Sequence, residues 1–202
     1  MVDHFLAGLD RCMLVADLGC GNGKYLSYRP FPELWMLGSD RSEPLCEIAR
    51  QQHPSRDIVQ ADLLRTCLRT ATFDATLCIA VIHHLTTDDR RRAAVEACLH
   101  PLKAGGRALL YVWAFEQPNN RRAFSASGAD NDDGPDASCI EPQQDRLVPW
   151  QHRDDVHYER YYHLFRKGEL DALVQSTGLA DISESGYDRD NWFVIAKRKA
   201  TH

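Results

Sequence analysis

Residues 13–23, MLVADLGCGNG, constrain the fold more than any other stretch. An apolar run reaches Asp17 and then gives way to glycine at alternate positions, Gly19, Gly21 and Gly23. The run reads as a buried strand. Glycines directly after it let the backbone turn sharply and approach a ligand at the start of the next segment. A strand that ends this way belongs to an open α/β sheet, whose ligands sit at the carboxyl ends of its strands.

Other runs of strand length follow. LWMLGSD (34–40) ends at Asp40, DIVQAD (57–62) ends at Asp62, FDATLCIAVI (73–82) is longer, and RALLYVWAF (107–115) is a fifth. Helical patterns lie between them. SEPLCEIARQQ (42–52) has Ser42 as cap and Pro44 in its first turn, with Leu45, Ile48 and Ala49 expected on one face. TTDDRRRAAVEACLHPL (86–102) has Thr87 as cap and aspartates at its start, and KAGG is expected to end it. RKGELDALVQSTG (166–178) puts Leu170, Leu173 and Val174 on one face before a stop at Gly178. LADISES and NWFVIAKR read as a closing antiparallel pair. Wholly apolar strands alternating with helices imply a parallel sheet covered on both faces. Right-handed crossovers make it a doubly wound α/β sheet. Across 117–145 turn formers and charge replace this pattern, and a mobile surface loop is expected.

A length of 202 residues fits one domain, taken as 1–202. The net charge of −5 argues against a protein coated in nucleic acid, so an anionic polymer must meet a local patch or a partner. Seven cysteines occur without a C-x-x-C pair, which suggests neither a disulfide frame nor a zinc site. The sequence has no apolar run of membrane-spanning length and no signal-peptide core at its start. Those features give the expectation of a cytoplasmic chain, with the nucleus as a second location.

The G-x-G-x-G spacing differs from the G-x-G-x-x-G of dinucleotide sites, and Asp17 would repel a pyrophosphate. It suits a ligand with a cationic amine. Asp40 can accept hydrogen bonds from both hydroxyls of a ribose, and Asp62 from the exocyclic amine of a base. Amine, ribose and adenine in that order describe S-adenosyl-L-methionine. Taken singly, each aspartate is equally well explained as a turn cap; together, with this glycine spacing, they point to the cofactor. Arg41, Leu63, Ile79 and Ala80, which adjoin these strand ends, complete the expected cofactor set.

Seven stretches carry a resemblance: DLGCGNGKYL (17–26), GSDRS (38–42), IAVIHH (79–84), YVWAFEQ (111–117), QDRLVPW (144–150), RYYHLFRKGEL (160–170) and DNWFVIAKR (190–198). Together they resemble the eukaryotic tRNA wobble-uridine methyltransferases, which include the methyltransferase domain of an AlkB-homologue protein. The first stretch is common to many methyltransferases, and the last four are much more specific. The resemblance implies a class I fold, with a seven-stranded, mostly parallel Rossmann-like sheet and an antiparallel closing strand. It also implies methyl esterification of 5-carboxymethyluridine at position 34 of tRNA, and a small zinc-binding activator subunit. In the strand order usual for that fold DIVQ (57–60) is an exposed edge, so the activator is expected to dock near Ile58 and Val59. Family members carry some tens of residues before the glycine motif, including a helix over the cofactor. About a dozen precede the first strand here, so the expectation is either a truncated start or the loss of part of that lid.

A carboxylate is an anion near neutral pH, its ordinary pKa being about 4, so its esterification needs positioning rather than a strong base. His83, after the fourth strand, is expected to orient the substrate, with His84 beside it. Arg160, Tyr161, Tyr162 and His163 form a polar-aromatic cluster suited to an anionic base and its phosphate. Of these Arg160 and Tyr161 join His83 as expected catalytic residues. Trp113 and Trp150 can stack on a base, and Asp190 and Asn191 shape the rim. Arg90, Arg91, Arg92, Arg121, Arg122 and the KRK at 197–199 are candidate phosphate contacts. The residues leave two alternatives open: a methyltransferase for another carboxylate or RNA position, and a catalytically silent binding module.

Overall fold

The computed structural model describes residues 1–26, 33–65, 68–117, 144–151 and 157–200. In chain order its strands are β1 (Leu14–Leu18), β2 (Trp35–Asp40), β3 (Asp57–Gln60), β4 (Phe73–Ile79), β5 (Leu102–Trp113), β6 (Asp145–Gln151), β7 (His157–His163), β8 (Ala180–Tyr187) and β9 (Asn191–Arg198). The helices are α1 (Val2–Ala7), α2 (Glu43–Gln52), α3 (Asp88–Leu99) and α4 (Glu169–Ser176). Seven strands form one sheet in the order β3-β2-β1-β4-β5-β9-β8. The first five pair in parallel, and β9 runs antiparallel to both of its neighbours. This is the doubly wound, mostly parallel sheet that the alternating pattern requires. β6 and β7 form a separate antiparallel ladder, a hairpin-like appendage that the sequence pattern did not resolve as strands.

The pleat divides the core. Ala16, Leu18, Cys78 and Leu110 face one side, where α3 and α4 bring Val95, Leu99, Leu170 and Val174. Val15, Leu77 and Leu109 face the other, packed with Phe5 and Leu6 of α1 and with Phe193 and Ile195 of β9. Neighbouring residues serve opposite faces, so the central strands are apolar along their buried lengths, as in Ala108–Leu110 of β5.

Three local readings are corrected. Leu45 and Ile48 do not share the buried face of α2; they are exposed, and Cys46 and Ala49 are buried. The helix lies too close to the glycine turn for large side chains: a Cβ at Gly23 would meet Ala49 Cβ at 3.2 Å. KAGG does not end α3, which stops at Leu99 before Pro101. Those glycines belong to the start of β5, where Gly105 has φ +78° and the pairing with β4 shifts register. The fourth strand ends at Ile79, and Ile82–His84 form a 3₁₀ turn. α1, which the sequence reading passed over, closes the second face of the core. Arg121, Arg122, Cys67, Cys139 and most of the expected mobile loop lie outside the described residues.

Candidate active site

The carboxyl ends of the parallel strands meet at the glycine turn. Gly19 has φ +82°, and a Cβ there would stand 2.2 Å from Val81 Cγ2, so only glycine fits between the strand end and the loop after β4. Gly21 also has positive φ, +56°, but an added Cβ would meet nothing within 4 Å. The turn is closed on one side and open on the other. Gly21 N–H donates to Asp40 Oδ2 (3.0 Å) and Ser42 N–H to Asp40 Oδ1 (2.8 Å), which ties the end of β2 to the turn.

Asp17 is fully buried, and its Oδ2 has no hydrogen-bond partner. Burial, and then the charge of Asp40, push its pKa up to about 7. An ionisable oxygen held dry with nothing to bond is costly, and it calls for a cationic or hydrogen-bonding ligand. A ligand with an ammonium group answers that need, so the residues present fit the cofactor expected from the sequence. Asp62 is exposed after β3 and accepts from Leu64 N–H at 2.9 Å, with Leu63 beside it in the 3₁₀ turn Leu63–Arg65. Arg41 is exposed, and its carbonyl accepts from Gln60 Nε2 at 3.4 Å.

A cavity of about 490 Å³ opens next to this turn. Its floor is Ile79 and Ala80, and its walls include Lys24, Tyr111, Trp113, Arg189 and Asn191. Ala80 has φ +61°, rare for a residue with a Cβ, and its N–H is held by Tyr111 O at 2.8 Å. Ile79 and Ala80 were expected against the cofactor and Asn191 against the substrate; all three line this one cavity. Lys24, Tyr111 and Arg189 were missed. Their only sequence signal was position: Lys24 follows the last glycine of the motif, and Arg189 lies between two strands.

The remaining candidates separate by depth. His83 is fully buried, and its Nδ1 accepts the Trp113 N–H at 3.1 Å. Trp113 and Tyr162 stack with centroids 4.3 Å apart and planes 8° from parallel, and Tyr162 is buried against His83 at 5.2 Å. His84 Nδ1 donates to Tyr161 O at 3.1 Å, and burial lowers its pKa. His83, His84 and Tyr162 therefore form an aromatic block with Trp113, the member of it that lines the cavity.

His163 sits between two carboxylates. Its Nδ1 meets Asp145 Oδ1 at 2.7 Å and its Nε2 meets Glu169 Oε1 at 2.6 Å. Burial works against its charge, but the bonds to Glu169 and Asp145 outweigh that and raise its pKa. Tyr161 donates its hydroxyl to the same Asp145 oxygen at 2.6 Å. These bonds clamp the β6–β7 ladder to α4. Arg160 is exposed on the ladder, and the side chain of Trp150 lies outside the described residues.

The arginine run beginning α3, named as candidate phosphate contacts, is divided by the helix. Arg91 is buried, donating to Leu85 O at 2.7 Å and paired with Asp88, and Arg92 pairs with Glu96 at 3.1 Å. A helix presents consecutive residues to different sides, so one of three neighbours turns inward.

Comparison with known proteins agrees with this geometry. A methyltransferase-domain family model matches residues 15–106. The tRNA (carboxymethyluridine(34)-5-O)-methyltransferase of Schizosaccharomyces pombe is 42% identical over 98% of this chain and 86% of that protein. The Xenopus tropicalis tRNA (carboxymethyluridine(34)-5-O)-methyltransferase alkbh8 is 33% identical over 98% of this chain, which spans only 37% of that longer protein. Among solved structures, a SAM-dependent methyltransferase from Methanosarcina mazei superposes with a TM-score of 0.74 at 15% identity, covering 99% of this chain and 98% of its own. The Haloferax volcanii complex between a Trm112 methyltransferase activator and a methyltransferase superposes with a TM-score of 0.67 at 13% identity, covering 98% of this chain and 89% of that one.

Proposed function

The chain belongs to the tRNA (carboxymethyluridine(34)-5-O)-methyltransferase family, and we infer that it methylates the carboxylate of 5-carboxymethyluridine at position 34 of tRNA. The observation that carries this is the reach of the 42% identity to the fission-yeast enzyme. It covers 98% of the chain, including the β6–β7 ladder, which lies outside the seven-stranded sheet of the general fold.

Asp17 holds the donor's ammonium, Asp40 its ribose hydroxyls and Asp62 the amine of its adenine, with Arg41 and Leu63 beside them. When bound, S-adenosylmethionine supplies a methyl group on a cationic sulfur, which a carboxylate oxygen takes with release of a neutral thioether. No residue has to remove a proton, because the attacking oxygen is already ionised. The protein's work is alignment, which in favourable systems lowers barriers by roughly 7–11 kcal/mol. Gly19 lets the donor turn lie flush against Val81, and Ala80 sets the floor of the substrate cavity. His83 acts through Trp113 as a positioning residue: by accepting the Trp113 backbone N–H it pins the end of β5, which carries the indole that lines the cavity. The clamp through His163 and Tyr161 holds the ladder, and with it Arg160, over this rim for the tRNA backbone.

The partner is a Trm112-type activator subunit. β3 ends the sheet, and its outer edge is unpaired among the described residues. Leu45 and Ile48 of α2 and Trp35 at the start of β2 are exposed close to that edge, where Arg56 Nη1 bonds Leu34 O at 2.9 Å. An apolar strip beside a free strand edge suits strand addition near Ile58 and Val59.

The test is nucleoside mass spectrometry of tRNA bearing 5-carboxymethyluridine after incubation with the chain, its activator and S-adenosylmethionine. The methyl ester nucleoside is expected at position 34. Donor binding without any ester would contradict the assignment.

A further inference from the structure

The β8–β9 connection holds a strained turn with an arginine at its tip. Asp188 N–H donates to Asn191 O (2.9 Å) and Asn191 N–H to Asp188 O (3.1 Å), closing a two-residue hairpin. Its central residues, Arg189 and Asp190, have φ of 48° and 64°. Two positive φ values in succession are the mark of a type I′ turn, where asparagine and glycine are the usual occupants. Residues with a Cβ persist there only if the surroundings over-determine the turn, and such strain gathers at functional sites. The surroundings do so here. Asn191 Nδ2 donates to Arg189 O at 2.6 Å, the Tyr187 hydroxyl to Asp190 Oδ1 at 2.8 Å, and Ala114 N–H to Asp190 O at 3.0 Å.

The pinned turn sets Arg189 on the lining of the 490 Å³ cavity, to which Trp113, Tyr111 and Ala80 also contribute. The same walls carry Asp3 and Asp188, so an incoming anion needs a facing cation; among the described residues Lys24 and Arg189 are the basic side chains that line the cavity. The Asp188 carboxylate already accepts from the Tyr111 hydroxyl at 3.1 Å. Lys24 Nζ lies 5.2 Å from the Tyr25 ring centroid. Resting on the esterification assigned above, we propose that Arg189 is the specificity-determining residue that pairs with the carboxylate of the substrate base. A guanidinium offers two parallel N–H donors that match a carboxylate's two oxygens. Methylation turns that anion into a neutral ester, so the pairing weakens in the product and favours its release.

The experiment measures binding of two tRNAs, identical but for a 5-carboxymethyl group on the wobble uridine, by the chain with its activator. Wild type is expected to prefer the carboxymethylated tRNA by about tenfold or more, the range for a hydrogen bond to a charged group. Arg189→Gly should abolish the preference and raise the KM for the carboxymethylated tRNA by a similar factor. Because glycine relaxes the turn, its thermal midpoint should equal or exceed that of wild type. Arg189→Lys should recover part of the preference, and Lys24→Gln should keep most of it. An Arg189→Gly variant with wild-type preference and KM overturns the proposal, as does a wild type with no preference. A wild type that prefers the carboxymethylated tRNA yet forms no ester would uphold the recognition and remove only the reaction.

Discussion

Gly19 and Gly21 share a motif but face different constraints. At Gly19 an added methyl collides with Val81, so Gly19→Ala should cost more than about 2 kcal/mol and lower the melting temperature by several degrees. At Gly21 the methyl enters open space, so Gly21→Ala should cost only about 1 kcal/mol of backbone strain. It should still weaken donor binding if the donor occupies that space as proposed; melts and calorimetry on both variants separate the two effects. Asp17 adds a pH dependence. Its folded-state pKa of about 7 lies above the ordinary 3.8, so its protonated form favours the donor-free fold. That contribution is complete below the ordinary value and is lost as pH rises through about 7. Asp17→Asn should therefore melt higher than wild type at alkaline pH without donor, and yet bind donor poorly. The sequence allowed Asp17 to be read because a carboxylate before bare backbone is a local pattern. Arg189 could not be read that way, since its importance comes from a turn conformation that only pairing of β8 with β9 reveals.

At the scale of elements the His163 clamp decides where the β6–β7 ladder sits. The histidine's raised pKa means that its contribution is full below the ordinary value of 6.5 and is lost as pH rises through the folded value above it. His163→Gln removes a buried charged bond to Asp145 or Glu169 and should cost about 1–3 kcal/mol. Hydrogen exchange read over β6 and β7 should quicken in the variant while β1 and β4 stay protected. Equal protection in variant and wild type would remove the clamp. The strand alternation in RYYHL held part of this answer. Tyr161 and His163 share one face and both meet Asp145, whereas Tyr162 turns to the other and stacks on Trp113. The helix faces were less legible. Hydrophobicity marked Leu45 and Ile48 for burial in α2, but the closeness of the glycine turn reserved that face for Cys46 and Ala49.

Across the whole molecule, the parallel sheet and its closing antiparallel pair followed from the order of apolar runs, because buried parallel strands leave few other arrangements. The β3 edge of that sheet is where a partner is predicted. Ile48→Glu combined with Trp35→Glu should abolish co-purification with a Trm112-type activator, and leave donor binding intact if the chain stays soluble. Undiminished co-purification would move the interface elsewhere. The account rests on a dry carboxylate at the end of β1 that receives a cationic methyl donor. The direct measurement is calorimetric titration of S-adenosylmethionine into wild type and Asp17→Asn over a pH series spanning about 6 to 8. Wild-type affinity should rise about fivefold from pH 6 to 7 and level off above that, while the variant binds weakly with no slope. Equal affinity at every pH, or a variant that binds like wild type, would contradict it.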